Sequence, residues 1–355
     1  MRLCLPLFRR FLCVLSTIVT AGLISSGALA QSKGLPDNPR EQKALQQARE
    51  FEGKHQYSFA IDSYNKANKL ADGKCAECLR HLCDLYRKVN DNKRSVKAAG
   101  QLEQIVTSPE DKATAAVLQG AALLREGTEH KKQALFQQAD AEFKQALVYQ
   151  PDWAPAIFLD GMAAGKAGDD GAAKDAFARY ISSAHADPIL QARARRYLAE
   201  PQLVREKMAP AFSVCTLQGN TVSLDGLQGK VVLLDFWATW CGPCNAELPH
   251  IQKIAQRFQG EPLVVLSISI DKDQAKWQAF VAQHGMTWPQ YWDQSGSMAQ
   301  TFGVRAIPNY FTIDTDGVLR SENMGSGADI DWRLKKLVAQ AQKAQEQATS
   351  HLSGQ

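Results

Sequence analysis

Residues 230–251 read KVVLLDFWATWCGPCNAELPHI. Val231 to Phe236 is an apolar run broken only by Asp235, the texture of a central strand covered on both faces. Ala246 to Phe258 has helical periodicity. Trp240-Cys241-Gly242-Pro243-Cys244 lies between them, at a strand-to-helix turn. A helix start offers N–H groups without helical partners and a partial positive charge. It favours a thiolate on Cys241, the species that attacks a disulfide. Pro243 costs little in a first turn. Cys244 lies one turn further in, is expected to be shielded, and is placed to resolve a mixed disulfide. C-x-x-C in this setting is a redox arrangement. The alternatives are an inert disulfide or half of a zinc site. Zinc wants two more ligands at matching spacing, and the downstream histidines are His250, His284 and His351. No metal and no organic cofactor are therefore expected; the reacting group is the Cys241–Cys244 disulfide.

Two carboxylates lie near the motif. Asp235 is six residues before Cys241, on the strand beneath it. Burial in an apolar strand disfavours its charged form, which suits proton exchange with Cys244. Otherwise it is a strand-end Asp bonded to nearby backbone. Glu247 is three residues after Cys244, over the same helix face. It is either a second proton-handling group or an ordinary exposed helix residue.

The elements around the motif point to an α/β unit. Phe212–Leu217 and Thr221–Leu224 read as a hairpin around Gly219-Asn220, and Leu263–Ile270 as a second buried strand. Gln274–His284 reads as a helix. Tyr310–Ile313 and Val318–Ser321 form another hairpin around Asp316-Gly317, and Trp332–Gln345 is a final helix. Strands alternating with helices, then an antiparallel hairpin, make a mixed sheet with helices on both faces.

The quoted stretch, with GVRAIPNYFTIDTDG at 303–317, resembles the thioredoxin-like fold. More narrowly it resembles the bacterial extracytoplasmic thiol–disulfide oxidoreductases of the TlpA/ResA type, over about residues 208–345. The leading hairpin and the Gln274–Gln300 insert fit that subgroup. The resemblance implies a cis proline at Pro308 beside the disulfide, with the Ile307 backbone pairing to the substrate chain. Trp240, Gly242 and Pro243 would complete the substrate-binding surface. Glu247 falls where the subgroup carries its active-site glutamate. Asp235 departs from the subgroup's common asparagine and matches the buried aspartate of ordinary thioredoxins. Asn309 replaces the usual threonine or serine after the proline.

From Arg40 to about Leu198 the chain is rich in Ala, Gln, Lys and Leu, and it repeats. Ala48, Phe51, Ala60, Tyr64 and Ala67 form one set. Cys83, Tyr86, Ser95, Ala99 and Leu102 fall at matching offsets. Gly120, Leu123, Ala139, Phe143 and Ala146 form a third, with a turn lengthened around Glu129–Gln133. Gly161, Ala164, Gly168, Ala173, Phe177 and Tyr180 form a fourth. ADAEFKQALVYQPDWAPAIFLDGMAAGKAGD at 139–169 resembles the tetratricopeptide repeat. That implies an α-helical repeat solenoid with a concave partner-binding surface; a generic helical bundle is the alternative. Helices over Pro188–Ala199 would cap the stack. The expected organisation is repeats over 41–200, a linker at 201–207, the α/β domain over 208–345 and a flexible tail from 346 to 355.

Residues 1–30 have the three parts of a secretory signal. A basic start is followed by the apolar Phe11–Ala28, and Ala28-Leu29-Ala30 suggests cleavage after Ala30. Residues 31–40 would be a linker. The protein is thus expected in the periplasm or outside the cell, or anchored to the inner membrane if the segment stays uncleaved. The 355 residues are 45% hydrophobic and 22% charged, which excludes disordered and collagen-like chains. The net charge of +4 falls to +1 without the three arginines of residues 1–30, so no basic face for nucleic acid is expected.

On a helix, Cys75, Cys78, His81 and Cys83 point to about 0°, 300°, 240° and 80°, which does not converge on a metal. Cys75–Cys78 is open between a disulfide and free thiols, and Cys83 takes a small packing position. Leu79 after Cys78 excludes haem attachment. The leading expectation is an exported oxidoreductase acting on protein thiols and disulfides, fed by an upstream thiol reductant, with a protein partner on the repeats. The alternatives are a peroxiredoxin-like (AhpC/TSA-type) thiol peroxidase and a binding scaffold with a secondary redox domain. The peroxidase frame places threonine three residues before its cysteine, where this chain has Ala238.

Overall fold

The computed structural model describes residues 38–327 and 330–353. The signal segment and most of the following linker lie outside the described residues. The chain divides into two units, residues 38–187 with 197–204, and residues 188–196 with 205 onward.

The first unit is helical. Its helices are α1 (Pro39–Gly53), α2 (Tyr57–Leu70), α3 (Ala76–Lys88), α4 (Asn92–Ile105), α5 (Pro109–His130), α6 (Gln133–Tyr149), α7 (Ala154–Ala167) and α8 (Asp170–Ser182). Each packs on its neighbour in sequence. Polar side chains start several of them: Ser108, Asp91 and Asp169 accept backbone N–H bonds from Asp111, Arg94 and Ala172. Gly168, at φ +89°, ends α7. The repeat positions are packing positions. A Cβ on Gly120 would come within 2.8 Å of the Phe143 ring, and one on Gly161 within 2.9 Å of Phe177. The glycine on one helix seats the aromatic ring of the next. The extra residues of the third repeat lengthen the helix rather than the turn: α5 runs to His130, and Lys131 closes it in the left-handed region.

The second unit is built on a five-stranded sheet ordered β5-β4-β3-β6-β7. The strands are β3 (Val231–Trp237), β4 (Leu263–Ser269), β5 (Gln290–Trp292), β6 (Asn309–Ile313) and β7 (Leu319–Met324). β3 runs parallel to β4 and antiparallel to β6, and β4 runs parallel to β5. A separate hairpin pairs β1 (Ser213–Cys215) with β2 (Thr221–Ser223). Alternation on β3 divides the core. Val231, Leu233 and Trp237 face one cluster, packed by α10 (Gly242–Arg257), α11 (Gln274–Gln283) and α13 (Asp331–Ser353). Val232, Leu234 and Phe236 face the other, with the hairpin and α12 (Ser297–Thr301).

Two expectations change. α13 continues to Ser353 instead of ending at Gln345. α9 (Pro188–Ala199) does more than cap a stack: its residues 188–196 group with the sheet unit. There, buried Arg193 and Arg196 pair with Asp225 at 2.7 and 3.5 Å. They also donate to the carbonyls of Ala209 and Thr315.

Candidate active site

β3 ends at Trp237 and α10 begins at Gly242, so residues 238–241 form a short turn above the middle of the sheet. Cys241 is the residue that caps α10. Its Sγ accepts the Cys244 N–H at 3.2 Å and is bonded to Cys244 Sγ. The turn is tied from outside: Asp271, just beyond β4, accepts from the Thr239 N–H at 3.0 Å and the Thr239 hydroxyl at 2.7 Å. The Asn245 amide donates to the Thr239 carbonyl.

The expected contrast in exposure between the two cysteines is not present. Cys241 is 5% exposed and Cys244 6%. A loop far away in sequence comes close to Cys241: the carbonyl oxygen of Ile307 lies 3.8 Å from its Sγ. What reaches solvent is the surround, Trp240 at 67% together with Gly242 and Pro243. A Cβ on Gly242 would meet nothing within 4 Å. Ile307–Pro308 is a cis bond, and the Pro308 carbonyl accepts the Gly325 N–H at 2.9 Å. Trp240, Gly242, Pro243, Ile307 and Cys241 therefore share one surface region around the disulfide.

Asp235 lies fully inside the sheet, on the face of β3 that carries Leu233 and Trp237, and the core on that face includes Cys244. Burial pushes its carboxyl up to about 7, while a 2.8 Å bond from the Ser267 hydroxyl pulls the other way. Ser267 in turn accepts from the Trp288 indole at 2.8 Å. Tyr310, opposite Asp235 on β6, has its phenol raised by burial and by the charges of Asp235 and Glu247. Glu247 is engaged at both oxygens. One accepts the Gly327 N–H at 2.7 Å, and the other is 3.3 Å from His250 Nδ1. His250 Nε2 reaches Asp331 at 3.2 Å.

Ser267, Trp288, Asp271, His250 and Asp331 were not expected at the site. Ser267 and Ser269 do leave a trace: two serines at period two on an apolar strand aim two polar groups at one face. Among the described residues, one set of side chains has metal-binding proximity, Glu126, Glu129 and His130 on α5. Glu129 there is already bonded by the amides of Asn90 and Asn92.

A family model described as the AhpC/TSA family matches residues 206–322. The thiol-disulfide oxidoreductase ResA of Bacillus thuringiensis subsp. konkukian is 31% identical over 143 residues, 40% of this chain and 83% of that protein. The chain belongs to the ResA-type thiol-disulfide oxidoreductases. The thioredoxin-like protein YneN of Bacillus subtilis is 34% identical over 123 residues, 34% of this chain and 71% of that protein. Among solved structures, the thioredoxin domain of a thiol-disulfide oxidoreductase from Bacteroides vulgatus is 25% identical. It covers 37% of this chain and 95% of that one, with a TM-score of 0.34.

Proposed function

We propose that this ResA-type protein is exported and reduces or reshuffles disulfides of protein substrates through Cys241-Gly242-Pro243-Cys244. The disulfide capping α10, beneath Ile307 and above Asp235, carries the reading. In the reduced form the α10 N-terminus stabilises the Cys241 thiolate, which attacks a substrate disulfide. Cys244 loses its proton and attacks Cys241 Sγ, releasing reduced substrate and re-forming the Cys241–Cys244 bond. Asp235, poised near 7, accepts that proton. Two cysteine sulfurs suffice, so the exchange uses no metal or organic cofactor. Gly242 leaves the approach open on one side, and Trp240, Pro243 and the Ile307 backbone receive the substrate chain. An upstream thiol reductant recharges the pair, and the helical unit holds a protein partner. Residues 1–30 direct export. No helix among the described residues is long and apolar enough to cross a membrane.

A peroxidase reading fits less well. Ala238 stands at the threonine position, and the nearby Thr239 hydroxyl is committed to Asp271. A redox titration of the full chain, read by alkylation of the Cys241 and Cys244 peptides, tests the proposed direction. Reductase function expects a potential near that of thioredoxin, about −270 mV, whereas one near −120 mV would reverse it.

A further inference from the structure

A second Cys-x-x-Cys opens a helix in this chain. Cys75 caps α3, its Sγ accepts the Cys78 N–H at 3.1 Å, and the two sulfurs are bonded. Cys241 does the same at α10, and the Cα–Cα separation is 5.2 Å in both pairs. Both cysteines of the α3 pair are buried, Cys75 at 9% exposure and Cys78 at 0%, with Cys75 the nearer of the two to the exposed residues that precede it. Asp72, Gly73 and Lys74, leading into Cys75, are exposed, and Gly73 takes a φ of +78°. Asn68 holds the Cys75 N–H at 3.2 Å. Arg49 pairs with Glu77, the acidic residue of the first turn, at 2.5 Å, offsetting a charge that would oppose a thiolate at the helix start.

A purely structural role explains little here. Closing a loop of four residues removes much less chain entropy than closing a long one. The start of α3 is also already fixed by hydrogen bonds to Asn68 and Cys75.

We propose that Cys75–Cys78 is a second redox-active disulfide, taking two electrons from the dithiol of a partner protein. The partner's thiolate attacks Cys75 Sγ. The Cys75–Cys78 bond breaks, its electron pair leaves on Cys78, and Cys78 takes up a proton. The partner's second thiolate then attacks its own sulfur in the mixed disulfide. Cys75 departs as a thiolate held by the Cys78 N–H and takes up a proton in turn, and the partner leaves oxidised. The helical unit thereby gains a surface that changes with the redox state of its partners.

The test does not depend on Cys241 or Cys244, so it separates from the proposed function. The full-length double variant Cys241→Ser, Cys244→Ser is mixed with reduced thioredoxin without denaturant, quenched by alkylation and mapped by peptide. Cys75 and Cys78 should label together within minutes, at least tenfold faster than buried Cys83, whose thiol burial pushes up to about 12. Adding Cys78→Ser, charging Cys75 as its mixed disulfide with thionitrobenzoate and then adding thioredoxin that lacks its resolving cysteine should release thionitrobenzoate and leave thioredoxin disulfide-bonded to the Cys75 peptide. Labelling of Cys75 and Cys78 only after unfolding would overturn the proposal. So would thiols already free in aerobically purified protein. If the triple variant fails to fold, the labelling rates of the double variant decide alone.

Discussion

Two helices in this chain begin with the same device, a cysteine whose sulfur accepts the N–H of a second cysteine three residues on, and the two differ in what surrounds it. At α10 the pair has Gly-Pro between its cysteines, exposed Trp240 before it, the Ile307 carbonyl against its sulfur and Asp235 in the core below. At α3 it has Ala-Glu between its cysteines, Lys74 before it, and neighbours that fix only the backbone and balance one charge. Local sequence is enough to build the helix-capping sulfur. Proton transfer and substrate pairing need residues brought in from other strands. The proposed roles follow this difference: turnover at the first pair, and at the second, exchange with a partner that brings its own resolving thiol.

The sharpest way to break this contrast is to remove one sulfur at a time. Cys241→Ser should lower reduction of insulin disulfides roughly a thousandfold, whereas Cys244→Ser should accumulate mixed disulfides on Cys241. Iodoacetamide labelling Cys244 first in the reduced protein at mild pH would reverse the roles.

Placing the two pairs in separate chains comes next. A fragment of residues 188–353 should fold and retain exchange at Cys241. A fragment starting at 205 loses Arg193 and Arg196 and leaves the buried Asp225 carboxylate unpaired. It should be less stable by about 3 to 5 kcal/mol, measured by urea unfolding. Equal midpoints for the two would show that the ion pair is dispensable.

Asp235→Asn probes the feature that most separates the two pairs. Resolution of the mixed disulfide should slow about ten- to a hundredfold, with its formation nearly unchanged, by stopped-flow. Stability should move the other way. Between about pH 4 and 7 a carboxyl raised to about 7 is mostly protonated in the folded protein and ionised in the unfolded chain. Its contribution is therefore fully present at pH below about 4 and is lost as pH rises to about 7. The stability gain of the Asn variant, read as a rise in melting temperature, should be absent at pH 4, grow to pH 7 and level off above it, at most a few kcal/mol. A lower melting point at pH 8 would make Asp235 a structural residue. The smallest effect is expected from Glu247→Gln, a few-fold at most, because glutamine still accepts the Gly327 N–H. A larger loss there than at Asp235 would move the proton-handling role to Glu247.

What was legible in the sequence was what repeats or lies close along it. The run from Val231 to Phe236, the capping Cys241 and the glycine–aromatic pairs Gly120–Phe143 and Gly161–Phe177 all leave local or periodic traces. The covering of Cys241 by Ile307 does not, because 66 residues separate them. The pairing of Arg193 and Arg196 with Asp225 leaves no local trace either, because Asp225 lies 32 and 29 residues further on. β5, with three residues, is too short for alternation to register, so its stretch read as insert. Glu247 lies on the same helix as Cys244, as its spacing implies, but its partner Gly327 belongs to another part of the fold.

The bonds from Thr239 to Asp271 involve neither sulfur. Making or breaking the Cys241–Cys244 bond leaves them intact, so the outer leg of the turn stays anchored to the end of β4 through the cycle. An arriving chain meets a turn already ordered and does not have to freeze it. The entropy that a loose loop would lose at each encounter was spent once, when the protein folded.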